Sequence, residues 1–303
     1  MRRGAVGRNI TIQTYMTDSF PDSTPVELEE PDLTELIDFA CRLADASRAA
    51  ILPLFRQRLD VEDKSGGRDY DPVTVADRRA EEAIRELIRS HHPSHGVLGE
   101  EHGFRRGSSG LTWVIDPIDG TKAFLTGMPL WGTLIALFDG RAPVLGVMDQ
   151  PYTGERFFGS RLGSKLLRDG EARELSVRPC RELGEAILQA THPNMFAVGA
   201  EASAFANLSS RVRLTRYSGD CYAYCMLAHG LLDLVVESDL EPYDIQGLIP
   251  IIEGAGGIVT DWSGGSPVYG GQVIAAGDRR AHESALRVLS RAATKVRVPR
   301  WMP

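Results

Sequence analysis

Apolar residues recur at helical spacing in two segments near the start of the chain. The first helix is predicted over residues 33–55, and Pro53 should perturb its end. Its apolar stripe consists of Leu33, Leu36, Ile37, Ala40, Leu43 and Ala44. A second helix is predicted from Thr74 to about Ser90, because Thr74-Val-Ala-Asp77 is a capping box with Asp in place of Glu. Residues 59–64, before a glycine-containing loop, alternate like a strand.

Short apolar runs separated by Gly, Pro and Asp predict a long succession of strands. These strands are predicted at residues 97–101, 111–119, 128–138, 142–148, 156–159, 165–168, 186–191, 231–237, 257–261 and 273–276. Helices are predicted at residues 200–208, from Asp220 through His229, at 243–254 and at 281–292. The short turn-forming links between strands indicate a largely antiparallel sheet with hairpins. Helices paired between sheets indicate an α/β protein with layered α/β/α/β/α packing and a second, smaller sheet.

The composition is that of an ordinary globular protein and disfavours several kinds of partner. Of 303 residues, 43% are apolar and 25% are charged, which is enough to build a sizeable core. A net charge of −7 without a long basic run disfavours nucleic acids and membrane surfaces as partners. No apolar stretch approaches the ~18 residues that a membrane span requires. The four scattered cysteines are interpreted as reduced thiols, although a zinc or disulfide role stays open.

One segment combines residue types that bind cations with residue types that bind anions. The apolar run 111–115 leads directly into Asp116-Pro-Ile-Asp119-Gly-Thr121, which places two carboxylates three residues apart at a strand end. Carboxylates bind divalent cations such as Mg²⁺, and a helix that starts after Gly120 could accept a phosphate. Glu100 also follows an apolar step, and Asp244 follows an acidic cluster downstream. A structural turn is the alternative, because Asp-Pro and Asp-Gly are common in loops.

Three stretches resemble the signature sequences of the inositol-monophosphatase family, whose members are metal-dependent phosphomonoesterases. They are Gly99-Glu-Glu101, Trp113-Val-Ile-Asp-Pro-Ile-Asp-Gly-Thr121, and Pro242-Tyr-Asp244 followed by Glu253-Gly-Ala-Gly-Gly257. They stand in the family's order, so the resemblance covers roughly residues 31–290. Within the family the likeness is closest to the histidinol-phosphate phosphatases. That likeness is carried by Phe124-Leu-Thr-Gly-Met-Pro-Leu-Trp131-Gly-Thr-Leu-Ile-Ala-Leu137, Ser218-Gly-Asp-Cys-Tyr222 and Glu241-Pro-Tyr-Asp-Ile245.

The resemblance implies a set of oxygen ligands for two cations. In the matching positions, Glu100, Asp116 and the Ile118 carbonyl hold the first metal, while Asp116, Asp119 and Asp244 hold the second. An all-oxygen set selects Mg²⁺, with Mn²⁺ as an alternative, over zinc. We therefore expect two or three Mg²⁺ ions in each site.

The resemblance also implies catalytic roles for three residues. Glu100 and Thr121 would orient and deprotonate the attacking water, with the metal lowering the pKa of that water. Asp71 lies in a segment that borders the metal site in the family, where it would bind a water or a third metal. Asp77, in the same segment, is interpreted as a helix cap.

Substrate contacts are implied for a wider set of residues. They are Glu100, Asp119, Gly120, Thr121, Lys122, Arg216, Gly219, Asp220, Glu237 and Asp244. Histidinol phosphate carries an ammonium group and an imidazole, so its pocket needs acidic groups opposite the metals. Asp220, Glu237, Asp239 and Glu241 offer negative charge there. We therefore expect hydrolysis of L-histidinol phosphate to L-histidinol and phosphate, a step of histidine biosynthesis.

Two other functions remain open on the sequence. The first is a phosphatase of the same mechanism acting on inositol monophosphate, fructose 1,6-bisphosphate or a 3′-phosphonucleotide. The second is a catalytically silent fold that regulates or binds, although every metal-ligand position of the family pattern is filled. Whether the substrate is histidinol phosphate or another ester, the partner is a small phosphorylated metabolite, and the family implies a homodimer.

The ends of the chain bear on its organisation. Residues 1–30 are polar and predict a flexible tail ahead of a catalytic domain over residues 31–295. Within that domain we expect subdomains of about 31–180 and 181–295. The N-terminus begins Met1-Arg-Arg and lacks the apolar region of a secretory signal, which indicates a cytoplasmic location.

Overall fold

Two long helices form the first layer of the molecule. The structure is a computed structural model that describes residues 28–64 and 72–295. Helix α1 spans Glu30–Ile51 and helix α2 spans Val75–His91, which confirms both predicted helices. The capping box of α2 is also confirmed, because the Thr74 hydroxyl accepts the Ala76 N–H and Asp77 accepts the Thr74 N–H. Most of the predicted tail, and Asp71, lie outside the described residues.

The chain between these helices contributes a short ribbon. Strands β1 (Glu62–Asp63) and β2 (Pro72–Val73) pair antiparallel. The predicted strand over residues 59–64 is thus reduced to two residues. Both residues of β1 are exposed, so no buried face extends the pairing.

Among the described residues, eight strands form a large, mostly antiparallel sheet in the order β10-β9-β8-β7-β6-β5-β3-β4. The strands are β3 (Gly96–Gly99), β4 (Gly103–Arg105), β5 (Thr112–Asp119), β6 (Gly132–Phe138), β7 (Pro143–Gln150), β8 (Glu155–Ser160), β9 (Gly163–Arg168) and β10 (Glu171–Glu174). Only β3 and β5 run parallel within this sheet. Strand β4 follows β3 in sequence and pairs antiparallel on its other side, so the chain returns to β5 in the direction of β3. A short helix, α3 (Thr121–Leu125), connects β5 to β6.

The two edge strands of this sheet were not predicted. Strand β10 is Glu-Ala-Arg-Glu, and all four of its residues are exposed. Strand β4 likewise has two exposed residues out of three. Edge strands bury little side-chain surface, so they lack the apolar alternation from which strands are predicted.

The second half of the described chain forms a smaller sheet of five strands in the order β12-β11-β13-β15-β14. The strands are β11 (Ile187–Ala190), β12 (Leu214–Tyr217), β13 (Leu234–Leu240), β14 (Ile258–Asp261) and β15 (Gly271–Ala276). The accompanying helices are α4 (Ala200–Ser209), α5 (Asp220–Ala228), α6 (Pro242–Ile245), α7 (Ile249–Gly254) and α8 (Arg279–Leu289). Strand β11 runs parallel to both neighbours, and the other pairs are antiparallel.

The prediction of one helix over residues 243–254 was wrong, because the structure divides it into α6 and α7. The break occurs where Gly247 passes close to the large sheet. A Cβ on Gly146 of β7 would lie 2.0 Å from the Gly247 carbonyl oxygen. Pro250 then occupies the first turn of α7, where its missing N–H costs nothing. A proline inside one continuous helix would remove a hydrogen bond and clash with the preceding turn, so Pro250 and the close approach of Gly247 together account for the break.

Three apolar clusters lie between the layers and confirm the predicted α/β/α/β/α order. One side of the large sheet packs against α1 and α2. Its other side packs against α5, α6 and α7, which also cover the inner side of the small sheet. Helices α4 and α8 cover the outer side of the small sheet. No helix among the described residues is long and apolar enough to cross a membrane.

Candidate active site

A bulge in strand β5 directs two carboxylates to the same face of the large sheet. Asp116 pairs with Leu134 and Asp119 pairs with Gly132, so three residue steps on β5 match two on β6. Without the extra residue, side chains three positions apart would point to opposite faces. The face they share also carries Val114, which packs against the middle helices. Both carboxylates therefore point into the middle layer.

Hydrogen bonds hold the bulge in place. The buried Thr133 hydroxyl donates to the Pro117 carbonyl at 2.8 Å. Within the bulge, the Ile118 N–H donates to Asp116 Oδ1 at 3.0 Å. The Ile118 carbonyl, a predicted metal ligand, accepts the Thr121 hydroxyl at 3.1 Å. The backbone that carries Asp116 and Asp119 is thus fixed from both sides.

Asp244 reaches the same place from the small helix α6. Its Oδ2 accepts the Glu241 N–H at 2.8 Å, and it forms a reciprocal capping box with Glu241. One carboxylate oxygen from each of Asp116, Asp119 and Asp244 lies within 4.8 Å of the others. This acidic cluster could hold a metal ion, and all of its atoms are the hard oxygens that Mg²⁺ prefers.

Glu100 lies beside this cluster and contacts Asp116. It follows the end of β3, and its N–H donates to the Ile115 carbonyl of the parallel strand β5 at 3.2 Å. Its side chain lies close enough to the Asp116 carboxyl to shift the pKa of that group, and it accepts a hydrogen bond from Lys64 Nζ at 2.7 Å. The structure therefore brings all four predicted acidic ligands together, with Glu100 joined to the other three through Asp116.

Burial, together with the negative charges of neighbouring acids, raises the pKa values of this group. Burial, followed by the charges of Glu100, Asp119 and Asp244, raises the pKa of Asp116 well above its usual range. Burial is likewise the largest cause for Asp119 and Asp244. The pKa of Glu100 rises to about 7 because burial outweighs the nearby Lys64 ammonium. Such a cluster favours protons or cations as ligands.

The predicted phosphate-binding residues lie at the start of α3. Gly120 has a φ of +82°, and a Cβ there would lie 3.0 Å from the Leu130 carbonyl oxygen. Only glycine fits this tight approach in a left-handed conformation. Thr121 is partly buried and Lys122 is exposed. The turn places the Thr121 side chain beside the Ile118 carbonyl.

Two predicted substrate contacts, Asp220 and Glu237, lie on the side of the site toward the small sheet. Burial, then the charges of Asp119 and Glu237, raise the pKa of Asp220 to about 8. Burial raises the pKa of Glu237 to about 7, against hydrogen bonds from the Thr191 N–H and the Tyr224 hydroxyl. Asp119 is thus close enough to both carboxyls to shift their ionisation.

The remaining predicted substrate residues differ in their exposure. Gly219 is buried, and a Cβ there would lie 2.4 Å from the Gln189 amide. Arg216 lies on β12, an edge strand, with its side chain exposed. Asp239 and Glu241 are also exposed. Of the four acids predicted to contact the leaving group, Asp220 and Glu237 are therefore the two that lie near Asp119.

The structure adds two residues that the sequence did not single out. The Cys221 N–H donates to Asp119 Oδ2 at 2.7 Å, at the first turn of α5. Lys64 Nζ contacts both Glu100 and Glu101, at 2.7 and 2.9 Å. Cys221 follows the predicted substrate residue Asp220, and Lys64 precedes a glycine-containing loop. These neighbours could have drawn attention to the two residues, but no local pattern specifies Asp119 or Glu100 as their partners.

Comparison with known proteins gives one family throughout. The model of the inositol monophosphatase family matches residues 32–294. The bifunctional phosphatase IMPL2, chloroplastic, of Arabidopsis thaliana is 42% identical over 279 residues, covering 88% of this chain and 79% of that protein. A histidinol-phosphatase of Mycobacterium tuberculosis is 35% identical, covering 68% and 80%. The solved structure of an inositol monophosphatase from Zymomonas mobilis has a TM-score of 0.75 at 40% identity, covering 84% and 98%.

Proposed function

We propose that this chain, which belongs to the inositol monophosphatase family, is a Mg²⁺-dependent phosphatase that hydrolyses L-histidinol phosphate. The family consists of phosphatases that act on small phosphorylated substrates with the help of metal ions. The observation that carries the proposal is the acidic cluster of Asp116, Asp119 and Asp244 with Glu100 beside it. The substrate, the ion and the roles of the residues belong to the proposal.

The acidic cluster fits a metal ion, and with Glu100 and the Ile118 carbonyl these residues would hold two or three divalent cations. Glu100, Asp116 and the Ile118 carbonyl would hold one ion, and Asp116, Asp119 and Asp244 would hold the next. Buried carboxylates that raise each other's pKa are stabilised by a positive charge among them. When bound, Mg²⁺ stabilises the negative charge on the phosphate and lowers the pKa of a coordinated water.

The chain's own residues would position the phosphate and the attacking water. Glu100 and Thr121 would orient a water, and the Glu100 carboxylate would accept its proton, with Asp71 supporting them. The water oxygen would form a bond to phosphorus, the P–O bond to the alcohol would break, and the alcohol oxygen would take a proton from solvent. The Gly120 and Thr121 N–H groups and the Lys122 ammonium would hold the phosphate oxygens in line for this exchange.

Two buried carboxyls favour a cationic leaving group. Burial raises the pKa of both Asp220 and Glu237, and the Lys122 ammonium offsets only part of the rise at Asp220. An ammonium or imidazolium placed beside them would lower those pKa values and gain a charge-assisted hydrogen bond. Relatives named histidinol-phosphatase, at 34–35% identity, support the same substrate. L-histidinol phosphate carries such cations, whereas inositol phosphate carries neutral hydroxyls.

A panel of phosphate esters tests this proposal. Hydrolysis of histidinol phosphate, inositol monophosphate, fructose 1,6-bisphosphate and a 3′-phosphonucleotide would be measured with Mg²⁺. We expect the largest kcat/KM for histidinol phosphate. A larger value for inositol phosphate by a wide margin would assign the chain to the alternative substrate, which relatives named inositol monophosphatase make the second candidate. A homodimer and a cytoplasmic location stay predictions.

A further inference from the structure

The turn that presents Glu100 is held from below by a buried carboxylate on a different element. Glu81 lies on helix α2, and its side chain has no exposed surface. Its Oε2 accepts the Glu101 N–H at 2.7 Å. Its Oε1 accepts the His102 N–H at 3.2 Å and the Nε–H of Arg85 at 2.6 Å. Both oxygens of one carboxylate are therefore used to bind consecutive N–H groups directly after Glu100.

The fit around this carboxylate is tight. A Cβ at Gly99 would lie 2.0 Å from Glu81 Oε1, so glycine at that position leaves room for the carboxylate under the turn. Arg85 donates a second hydrogen bond to the Gly103 carbonyl, at the far end of the same turn. Helix α2 thus forms hydrogen bonds along the turn over residues 100–103, from the Glu101 N–H to the Gly103 carbonyl. The Arg85 guanidinium also balances the buried charge of Glu81.

We propose that Glu81 is a positioning residue that fixes the backbone of Glu100 so that its carboxylate faces Asp116 and the metal site. The inference rests on the proposed metal-dependent function. Glu81 reaches the backbone of Glu101 and His102, and it acts on the metal through Glu100. A ligand whose backbone is free to shift binds its ion less tightly, and loss of such outer support costs about 10–100-fold in metal affinity.

Metal binding by the full chain, measured without substrate, tests this role. Glu81→Gln puts an amide NH₂ against one of the three donors, so at least one hydrogen bond to the turn is lost. We expect Mn²⁺ affinity, measured from the free-ion paramagnetic resonance signal, to fall about tenfold. Glu86→Gln is the matched control, because it removes the same charge from an exposed residue of the same helix that pairs with Arg89 and not with the turn. Its affinity should match that of the unmodified chain.

A double-mutant cycle separates positioning from general support of the fold. In a Glu100→Gln background, Glu81→Gln should change Mn²⁺ affinity less than twofold, because the ligand through which it acts is already impaired. An equal loss in both backgrounds, or full affinity in Glu81→Gln with a lowered Tm, would overturn the inference. If Glu81→Gln does not fold, Glu81→Asp keeps the charge but shortens the reach, and wild-type affinity in that variant would also overturn it.

The outcome is distinguishable from failure of the proposed function. If no phosphate ester is hydrolysed but Glu81→Gln still weakens Mn²⁺ binding through Glu100, the catalytic proposal fails and the positioning role stands. If the ester panel shows hydrolysis but the variant binds Mn²⁺ normally, the opposite holds.

Discussion

Asp116 is a carboxylate that the fold places where its charge is hardest to keep. It is 2% exposed, and three other acids act on its ionisation. A protein retains such a group only if something stabilises it, because an unpaired buried charge costs several kcal/mol. Its Oδ1 accepts the Ile118 N–H at 3.0 Å, so the backbone of the bulge holds the carboxylate in place. The residue is therefore the centre of the proposed metal site.

Replacing Asp116 by Asn should abolish activity without unfolding the chain. The amide keeps the shape but removes the charge shared by the two proposed metals, so we expect kcat to fall on the order of 10³-fold. The metal-free Tm should rise, because repulsion from the neighbouring acids is relieved. Asp169→Asn is the control, since Asp169 is exposed and its left-handed backbone tolerates Asn. Near-normal turnover by Asp116→Asn would show that the measured hydrolysis does not arise at this site, which would favour the silent-fold alternative.

The charge of Asp220 should decide between substrates. Asp220→Asn removes a carboxylate that a cationic leaving group would use, while inositol phosphate offers no such cation. We expect kcat/KM for histidinol phosphate to fall about 10–100-fold, in keeping with a charged hydrogen bond of about 1.5–3 kcal/mol. The value for inositol phosphate should change much less. Equal losses for both esters would show that Asp220 does not select the substrate.

At the scale of elements, the bulge of β5 depends on the strand beside it and on helix α1. Thr133 on β6 donates its hydroxyl proton to Pro117, so in its contact with Ser47 of α1, at 2.8 Å, Ser47 must be the donor. This chain of hydrogen bonds runs from the first helix to the strand that carries both aspartates. The geometry of the acidic pair is therefore a property of three packed elements.

Removing the Thr133 hydroxyl should loosen the bulge. Thr133→Val preserves the shape but leaves the buried Pro117 carbonyl without its donor, which should lower the free energy of unfolding by about 1–3 kcal/mol. Mg²⁺ should then activate the enzyme at a higher concentration than in the unmodified chain. Ser47→Ala leaves the bond between Thr133 and Pro117 intact and should shift the metal activation much less. An identical response of the two variants to Mg²⁺ would contradict this account.

At the scale of the whole molecule, the site forms where the two sheets face each other. Asp116 and Asp119 come from the large sheet, Asp244 from a helix in the middle layer, and Glu237 from the small sheet. Packing these elements brings five carboxyls close together in a largely buried site: the four just named and that of Glu100. The fold therefore accepts an electrostatic cost at its centre that bound cations would offset.

This arrangement should make the stability of the metal-free chain fall as the pH rises. Glu100 and Glu237 have folded pKa values of about 7, and Asp220 of about 8, all above their values in an unfolded chain. The folded state therefore binds more protons than the unfolded state, and the stabilisation present at low pH is lost up to about pH 8.

Thermal unfolding at pH 6.5 and 8.0 checks the direction. With a chelator, Tm should be lower at pH 8.0; with Mg²⁺, the difference should shrink, and the gain from Mg²⁺ should be larger at pH 8.0. The window stays at or above pH 6.5, because at lower pH the unfolded chain protonates His95, whose folded pKa burial lowers to about 4, and this makes stability rise with pH. A metal-free Tm that rises between these pH values would refute the proposed crowding.

Most element types and the acids that form the cluster were predictable because they are marked by nearby residues. A few neighbouring positions are enough to recognise the apolar stripe of α1, the capping box at Thr74 and the apolar run that ends in Asp116. The exposed strands β4 and β10 were missed because no buried face marks them. The break between α6 and α7 was missed although Pro250 marks it locally, and the close approach of Gly247 to a distant strand accompanies it.

The sequence by itself determined most of the helices and buried strands, the family and the acids that could bind a cation. Only the tertiary structure decided that Glu81 lies under the turn of Glu100 and that Asp220 and Glu237 face Asp119. It also decided that the Cys221 N–H, 102 positions away, binds Asp119. The physical reason is that local patterns arise from contacts within a few residues, whereas these pairings exist only after both sheets have packed.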